Sequence, residues 1–144
     1  MLRPATPDDA VVFLELEKSV DGAKTYSPTL TKEEYLEELK TDKIFLIEIG
    51  GETVGSVMYE IKSPEHAYIS GLVVSPKFQG KGIAREAMTR VLEDLKNYKR
   101  IDLVTHPENK PAIKLYESLG FKIESQIENY FGDGEPRVVM ARLN

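Results

Sequence analysis

The chain reads as an α/β fold of the α+β kind: a mixed, mostly antiparallel, seven-stranded twisted sheet flanked by about four helices. Three observations predict it. The apolar period switches along the chain between the helical and the alternating pattern, so helices and strands are interleaved. Apolar runs separated by glycine-rich turns mark hairpins toward both ends. Between them lie a strand, a long helix, a second strand and a second helix, an order that sets parallel strands inside an otherwise antiparallel sheet.

Each element carries its own signal. Residues 2–5 suit a short first strand. Thr6 is placed as an N-cap, Pro7 fits the first helical position, and Asp9 completes a capping box, so a helix is expected to about Ser19. Residues 20–30 hold Gly22 and Pro28 and read as a loop. Thr31 and Glu34 form a second capping box before a helix over 32–40, in which Tyr35, Leu36 and Leu39 share a face. Residues 44–49 and 53–61 are β-rich runs joined at Gly50-Gly51, and a third run, 67–74, ends at Ser75-Pro76. The long helix spans 82–97, with Ile83, Ala84, Ala87, Met88, Val91, Leu92 and Leu95 as its buried stripe. A strand over 101–105 and a helix over 111–119, stopped by Gly120, follow. Strands over 121–130 and 137–143 flank a turn at Gly132-Asp133-Gly134. No repeat or linker divides residues 1–144, which are expected to form one domain.

Composition narrows the chemistry. There is no Cys, which excludes disulfides, thiolate nucleophiles and Cys-based metal sites. His66 and His106 are far apart in sequence, so no metal site is expected. No apolar stretch approaches the ~18 residues of a membrane span. No basic region with an apolar run opens the chain. The expectation is a cytoplasmic protein with no membrane partner. A formal charge of −5 argues against non-specific nucleic-acid binding and is compatible with a cationic or amine substrate.

The segment Gln79-Gly80-Lys81-Gly82-Ile83-Ala84 lies between a strand and the long helix. Its glycines let the backbone turn sharply and approach a ligand closely. The first N–H groups of a helix have no partner within it, and the helix dipole favours negative charge there. Lys81 and Arg85 add charge to the rim. A pyrophosphate fits such a loop. No Gly-Lys-Ser/Thr follows, so it is not a P-loop, and the chain does not open with a dinucleotide-binding unit.

With Gln79, Gly82 and Ala84 this loop resembles the acetyl-CoA motif Q/R-x-x-G-x-G/A of the GCN5-related N-acetyltransferase (GNAT) superfamily. The resemblance continues through Asn109, Tyr116 and Leu119-Gly120-Phe121. The ending, Asn129-Tyr130-Phe131 with Gly132-Asp133-Gly134-Glu135 and Val139-Met140, is similar to the ribosomal-protein N-terminal acetyltransferase branch. The match is strong over about residues 67–142. It implies a GNAT-like fold, acetyl-CoA as the acyl donor with coenzyme A as product, and a cofactor site made by Gln79, Gly80, Lys81, Gly82, Ile83, Ala84, Arg85 and Asn109.

By its residue type, Tyr116 is a phenol protonated at neutral pH and able to give a proton to a departing thiolate. On its own it reads equally as a core aromatic beside Leu115 and Leu119, and Asn109 as a helix cap. The resemblance assigns Tyr116 as general acid and a cofactor-binding residue. The backbone of Leu72, Val73 and Val74 would hold the pantetheine arm as an added strand if the neighbouring strands splay apart, and one N–H would polarise the thioester carbonyl.

The general base is open. Similar enzymes often place a Glu on the strand before the loop or on the strand before Asn109; here those places hold Ser70, Gly71 and Val104. The candidates nearby are Tyr68, His106 and Glu108. Tyr130 is a candidate wall for the acceptor, with Tyr26 and Tyr35 opposite. The leading function is acetyl transfer to a primary amine by direct attack in a ternary complex, with a protein or peptide N-terminal α-amine as acceptor. The alternatives are a small-molecule amine (amino acid, polyamine or amino sugar) and a non-catalytic acyl-CoA-binding sensor. A monomer or homodimer is expected.

Overall fold

The computed structural model describes residues 1–20 and 28–144. Its elements are β1 (Leu2–Pro4), α1 (Ala10–Lys18), α2 (Lys32–Thr41), β2 (Lys43–Ile49), β3 (Glu52–Ser63), β4 (His66–Val74), α3 (Ile83–Asp94), β5 (Arg100–Thr105), α4 (Lys110–Ser118), β6 (Lys122–Ile127) and β7 (Arg137–Leu143). Seven strands form one sheet in the order β1-β2-β3-β4-β5-β7-β6. Among the described residues only β4 and β5 pair in parallel. The mixed, mostly antiparallel seven-stranded sheet with four flanking helices is the expected fold.

The helices cover the two faces as the apolar stripes dictate. Phe13, Leu16 and Tyr35 of α1 and α2 pack on Ile44, Leu46 and Met58. Met88, Val91 and Leu92 of α3 and Tyr116 of α4 pack on Val57, Ile69, Leu103 and Met140 on the opposite face. The first capping box forms, and in the second Thr31 caps α2 through its hydroxyl. The Thr6 N–H donates to Asp9 Oδ2 at 2.8 Å, and the Glu34 N–H donates to Thr31 Oγ1 at 3.1 Å. The first opens a 3-10 turn, Pro7–Asp9, and α1 proper begins one residue later.

Two ends differ from expectation. Helix α3 stops at Asp94 rather than near Asn97, because the Asn144 amide donates to the carbonyls of Leu95 and Tyr98 and takes over the role of the next turn. Strand β6 stops at Ile127 rather than Tyr130. Asn129 adopts a left-handed φ of 52°, and its Oδ1 accepts from the Gly134 N–H at 2.7 Å, closing a side-chain-held loop before β7.

The feature that positions the site lies in β4. Ile69 pairs with Tyr59 and Gly71 with Met58, leaving Ser70 as the extra residue of a bulge. The bulge inverts the alternation of faces. Ala67 and Ile69 point toward α3 and α4 before it; Leu72 and Val74 do so after it. β4 pairs with β5 only from His66 opposite Arg100 to Ile69 opposite Leu103. Beyond that point residues 70–74 keep β3 on one side and, among the described residues, have no strand on the other, while β5 continues along β7 to Thr105. The two parallel strands diverge and leave a wedge.

Candidate acyl-transfer cleft

The loop after β4 is braced by its own glutamine: Gln79 Nε2 donates to the Val74 carbonyl at 3.0 Å. Gly80 and Gly82 hold φ of 79° and 80°, the left-handed region that L side chains avoid. A Cβ built on either meets no protein atom within 4 Å, so the glycines face open space rather than a packed neighbour. Backbone bonding in α3 starts with the Glu86 N–H donating to the Gly82 carbonyl at 3.1 Å. The N–H groups of Ile83, Ala84 and Arg85 precede it and have no helical acceptor. Phosphate oxygens at this turn would meet unpaired donors and the positive end of the helix dipole.

The loop and the wedge open into one cavity of about 800 Å³. Gln79, Gly80, Gly82, Ile83, Ala84 and Arg85 line it at one end. Leu72, Val73 and Val74 line its wall through the unpaired edge of β4. Asn109 and Tyr116 line the opposite wall. Lys81 does not line it; its ammonium lies 5.5 Å from the Phe78 ring centroid. Asn109 also caps α4, its Oδ1 accepting from the Ala112 N–H at 3.4 Å. Tyr116 is buried, with its ring edge-on to Phe121 at 5.9 Å.

The base and acceptor candidates are separated by the fold. Tyr68 lines the cavity, but burial pushes its phenol above the ordinary value, and Tyr130 and the carboxylates of Asp102 and Asp42 push the same way. It is held protonated, which opposes a role as proton acceptor. His106 is 1% exposed and is not among the lining residues. Its Nδ1 accepts from the Glu108 N–H at 3.0 Å, so its proton resides on Nε2, 2.7 Å from Glu135 Oε1. The carboxylates of Glu108 and Glu135 gather around it within 4.8 Å. His106 is therefore a strut between β5 and the loop before β7, which corrects its expected place in the cleft. Tyr35 is likewise corrected from acceptor wall to core. It is fully buried, its hydroxyl donates to the Thr6 carbonyl at 2.6 Å, and its ring lies 4.7 Å from that of Phe13. Tyr130 is exposed and stacked on Phe131 at 4.8 Å, and Phe131 rather than Tyr130 lines the cavity. Tyr26 lies outside the described residues.

The structure adds side chains that the sequence reading passed over. Glu17, Glu38 and Asp42 reach the cavity from α1 and the end of α2. Burial, reinforced by Glu38, pushes the Glu17 carboxyl up to about 7. Glu38 Oε1 accepts from the Thr29 hydroxyl at 2.7 Å, and its buried Oε2 has no hydrogen-bond partner among the described residues. Ser70, the bulge residue, donates to Asp42 Oδ2 at 2.5 Å. Arg137 is 2% exposed; it bridges to Asp133 at 3.2 Å and lies 5.1 Å from the Phe131 ring, fixing the last turn against the cavity. A signal for two of these was present. Glu17 follows Phe13 by four residues and Glu38 follows Tyr35 by three, so each acid falls on an apolar stripe.

Residues 13–121 match the acetyltransferase (GNAT) family. Spermidine N(1)-acetyltransferase of Escherichia coli is 29% identical over 103 residues, covering 68% of this chain; the chain spans only 55% of that enzyme's length. An N-alpha-acetyltransferase of Sulfurisphaera tokodaii is 27% identical over 122 residues, 75% of this chain and 72% of that protein. The fold superposes on the ribosomal-protein-alanine N-acetyltransferase of Brucella melitensis with a TM-score of 0.84 at 19% identity, covering 100% and 99% of the two chains. It also superposes on a GNAT family acetyltransferase of Elizabethkingia anophelis with acetyl-CoA bound, with a TM-score of 0.77 at 21% identity over 100% and 97%. Among the described residues no helix is long and apolar enough to cross a membrane. With the family match running from α1 to the start of β6, and the wedge, glycine loop and Tyr116 in one cavity, this chain belongs to the GNAT acetyltransferase family.

Proposed function

We propose that this chain is an N-acetyltransferase that moves an acetyl group from acetyl-CoA to a primary amine within a ternary complex. One observation carries the reading: the unpaired edge of β4, the N-terminus of α3 and Tyr116 all face a single cavity. In this reading Gly80, Gly82 and the first N–H groups of α3 hold the pyrophosphate. The outward-facing main-chain groups of the edge formed by Leu72, Val73 and Val74 bond the amide-rich pantetheine arm as an added strand. An N–H of the same edge stabilises the oxyanion that develops as the amine attacks. Tyr116 gives its proton to the departing thiolate. With no Cys in the chain, direct attack needs no covalent acetyl-enzyme.

The acceptor in this reading is a protein or peptide N-terminal α-amine. The similarity to an N-alpha-acetyltransferase over three quarters of the chain supports it. So does the stacked Tyr130–Phe131 pair, an exposed aromatic wall beside the cavity. A small polycationic amine is the second reading. Glu17, Glu38 and Asp42 favour it, because three carboxylates at one end of a cavity attract a cation. Coenzyme A release is the test, with acetyl-CoA and a panel of short peptides, amino acids, amino sugars and spermidine. Preference for peptides supports the first acceptor and preference for spermidine the second. Saturable acetyl-CoA binding with no release for any amine would leave a non-catalytic acyl-CoA sensor.

A further inference from the structure

We propose that Ser70 and Asp42 form the proton exit of the reaction, Ser70 touching the acceptor nitrogen and Asp42 receiving the proton through it. The inference rests on acetyl transfer to an amine. It starts from direction. With pyrophosphate at the loop beyond the end of β4, an acyl donor running back along the free edge of β4 brings its thioester toward the place where β4 and β5 diverge. The last parallel pair is Ile69 with Leu103, and the next residue is Ser70, displaced into the cavity by the bulge. Its hydroxyl is already oriented: it donates to Asp42 Oδ2 at 2.5 Å. A hydroxyl that spends its hydrogen on a carboxylate turns its lone pairs toward the attacking nitrogen. The Thr41 hydroxyl donates to the other oxygen, Asp42 Oδ1, at 2.7 Å and fixes the carboxylate.

The step balances without another reagent. As the C–N bond forms, the nitrogen becomes acidic; its N–H bond breaks and the proton passes to Ser70 Oγ. The hydrogen already on Ser70 passes to Asp42 Oδ2. Serine ends neutral, Asp42 ends as the acid, and water entering the cavity removes the proton after product leaves. Other titratable groups line the cavity beside Asp42. Glu38 lies one turn back on α2, Glu17 lies beyond it on α1, and Tyr68 stands on β4. Burial pushes the Glu17 and Glu38 carboxyls above their ordinary values, and the phenol of Tyr68 is held protonated. Ser70 stands on the strand before the loop, where similar enzymes often carry a Glu, and Asp42 reaches it from the end of α2.

The test measures kcat at saturating acetyl-CoA across pH for wild type, Ser70→Ala, Ser70→Thr, Asp42→Asn and the Ser70→Ala/Asp42→Asn double variant. The acceptor is whichever of two probes wild type acetylates, a short peptide with a free N-terminus or spermidine. Calorimetric acetyl-CoA affinity and melting temperature are recorded alongside. At neutral pH each single loss is expected to lower kcat on the order of a hundredfold. The double variant should fall no further, because both changes cut one path. The loss should shrink as pH rises, since hydroxide entering the cavity can take the same N–H proton in place of Ser70. Ser70→Thr, which keeps the hydroxyl, should retain activity. A pH-independent loss would reduce the pair to a brace between α2 and β4 and overturn the proposal. So would unchanged kcat in folded single variants of an active wild type. If wild type transfers acetyl to no amine, acetyl transfer fails and the relay fails with it.

Discussion

The phosphate-side end of the cleft presents main chain: two left-handed glycines, the opening N–H groups of α3 and a strand edge with no neighbour. The opposite end presents ionisable side chains: Glu17, Glu38, Asp42, Tyr68 and Arg137, drawn from α1, α2, β4 and β7. The first end is rigid, because positive φ and helix bonding fix it locally. The second depends on how distant elements pack, and burial raises its Glu17, Glu38 and Tyr68 groups above their ordinary values. A pair of ends built this way teaches that the donor site is set by backbone conformation, while acceptor choice and proton handling are set by tertiary contact. Four experiments would break or sharpen that comparison.

The largest effect is expected between the two ends, at Tyr116. Tyr116→Phe keeps the ring and its edge-on contact with Phe121 and removes only the hydroxyl. Turnover should fall by about 10²–10³, with acetyl-CoA affinity nearly unchanged. Single-turnover kinetics with calorimetry checks both halves. An unchanged chemical step would return Tyr116 to a purely packing role.

Next comes the main-chain end. At Gly82 the φ of 80° alone makes a side chain costly, by roughly 1–2 kcal/mol. The space a Cβ would enter is empty of protein, so the fold should survive the Gly82→Val change. Acetyl-CoA affinity should drop on the order of a hundredfold as the substituent takes the phosphate's place and the turn shifts. Native affinity in a folded variant would show that the phosphates bind elsewhere.

How far each end was legible follows from the same contrast. The glycine loop, Asn109 and Tyr116 could be found because their meaning lies in short spacing: strand, turn, helix start, then cap and aromatic two turns on. The wedge itself was foreseen only as a condition on the strands, because divergence after Ile69 depends on the bulge at Ser70. The acids were passed over because Glu17, Glu38 and Asp42 look like solvated charges until α1 and α2 fold onto the sheet. His106 misled for the converse reason. Its sequence neighbours place it near Asn109, while Glu135, far along the chain, pulls it into the interior.

The acidic end gives a pH-dependent prediction. Folding holds the Glu17 carboxyl at about 7, above its ordinary value of 4.5. The protonated form is thus the one that folding favours. Its stabilising contribution is complete below about pH 4.5 and is lost as pH rises to about 7. Glu17→Gln should therefore leave stability near pH 4.5 unchanged and raise it at pH 8 by about 1–2 kcal/mol, a few degrees in Tm. Thermal melts at the two pH values check this, and equal effects at both would remove the buried-charge argument. If the acceptor is a polycation, the same substitution should raise the KM for spermidine and leave that for a neutral-side-chain peptide in place.

The smallest effect tests the boundary between site and core on the acidic side. Tyr35 stands on α2 three residues before Glu38, yet its ring is buried against Phe13 and its hydroxyl is used by the Thr6 carbonyl. That carbonyl also accepts from the Asp9 N–H at 3.0 Å, so losing the phenol leaves it with one donor rather than none. Tyr35→Phe should cost about 0.5–1.5 kcal/mol of stability, the net value of a single hydrogen bond. Both KM values and kcat should stay within experimental error, because nothing of the cavity wall changes. Denaturant unfolding beside steady-state kinetics separates the two readings. A raised acceptor KM with native stability would move Tyr35 from the core to the acceptor wall and extend the side-chain-built end of the cleft one helical turn further along α2.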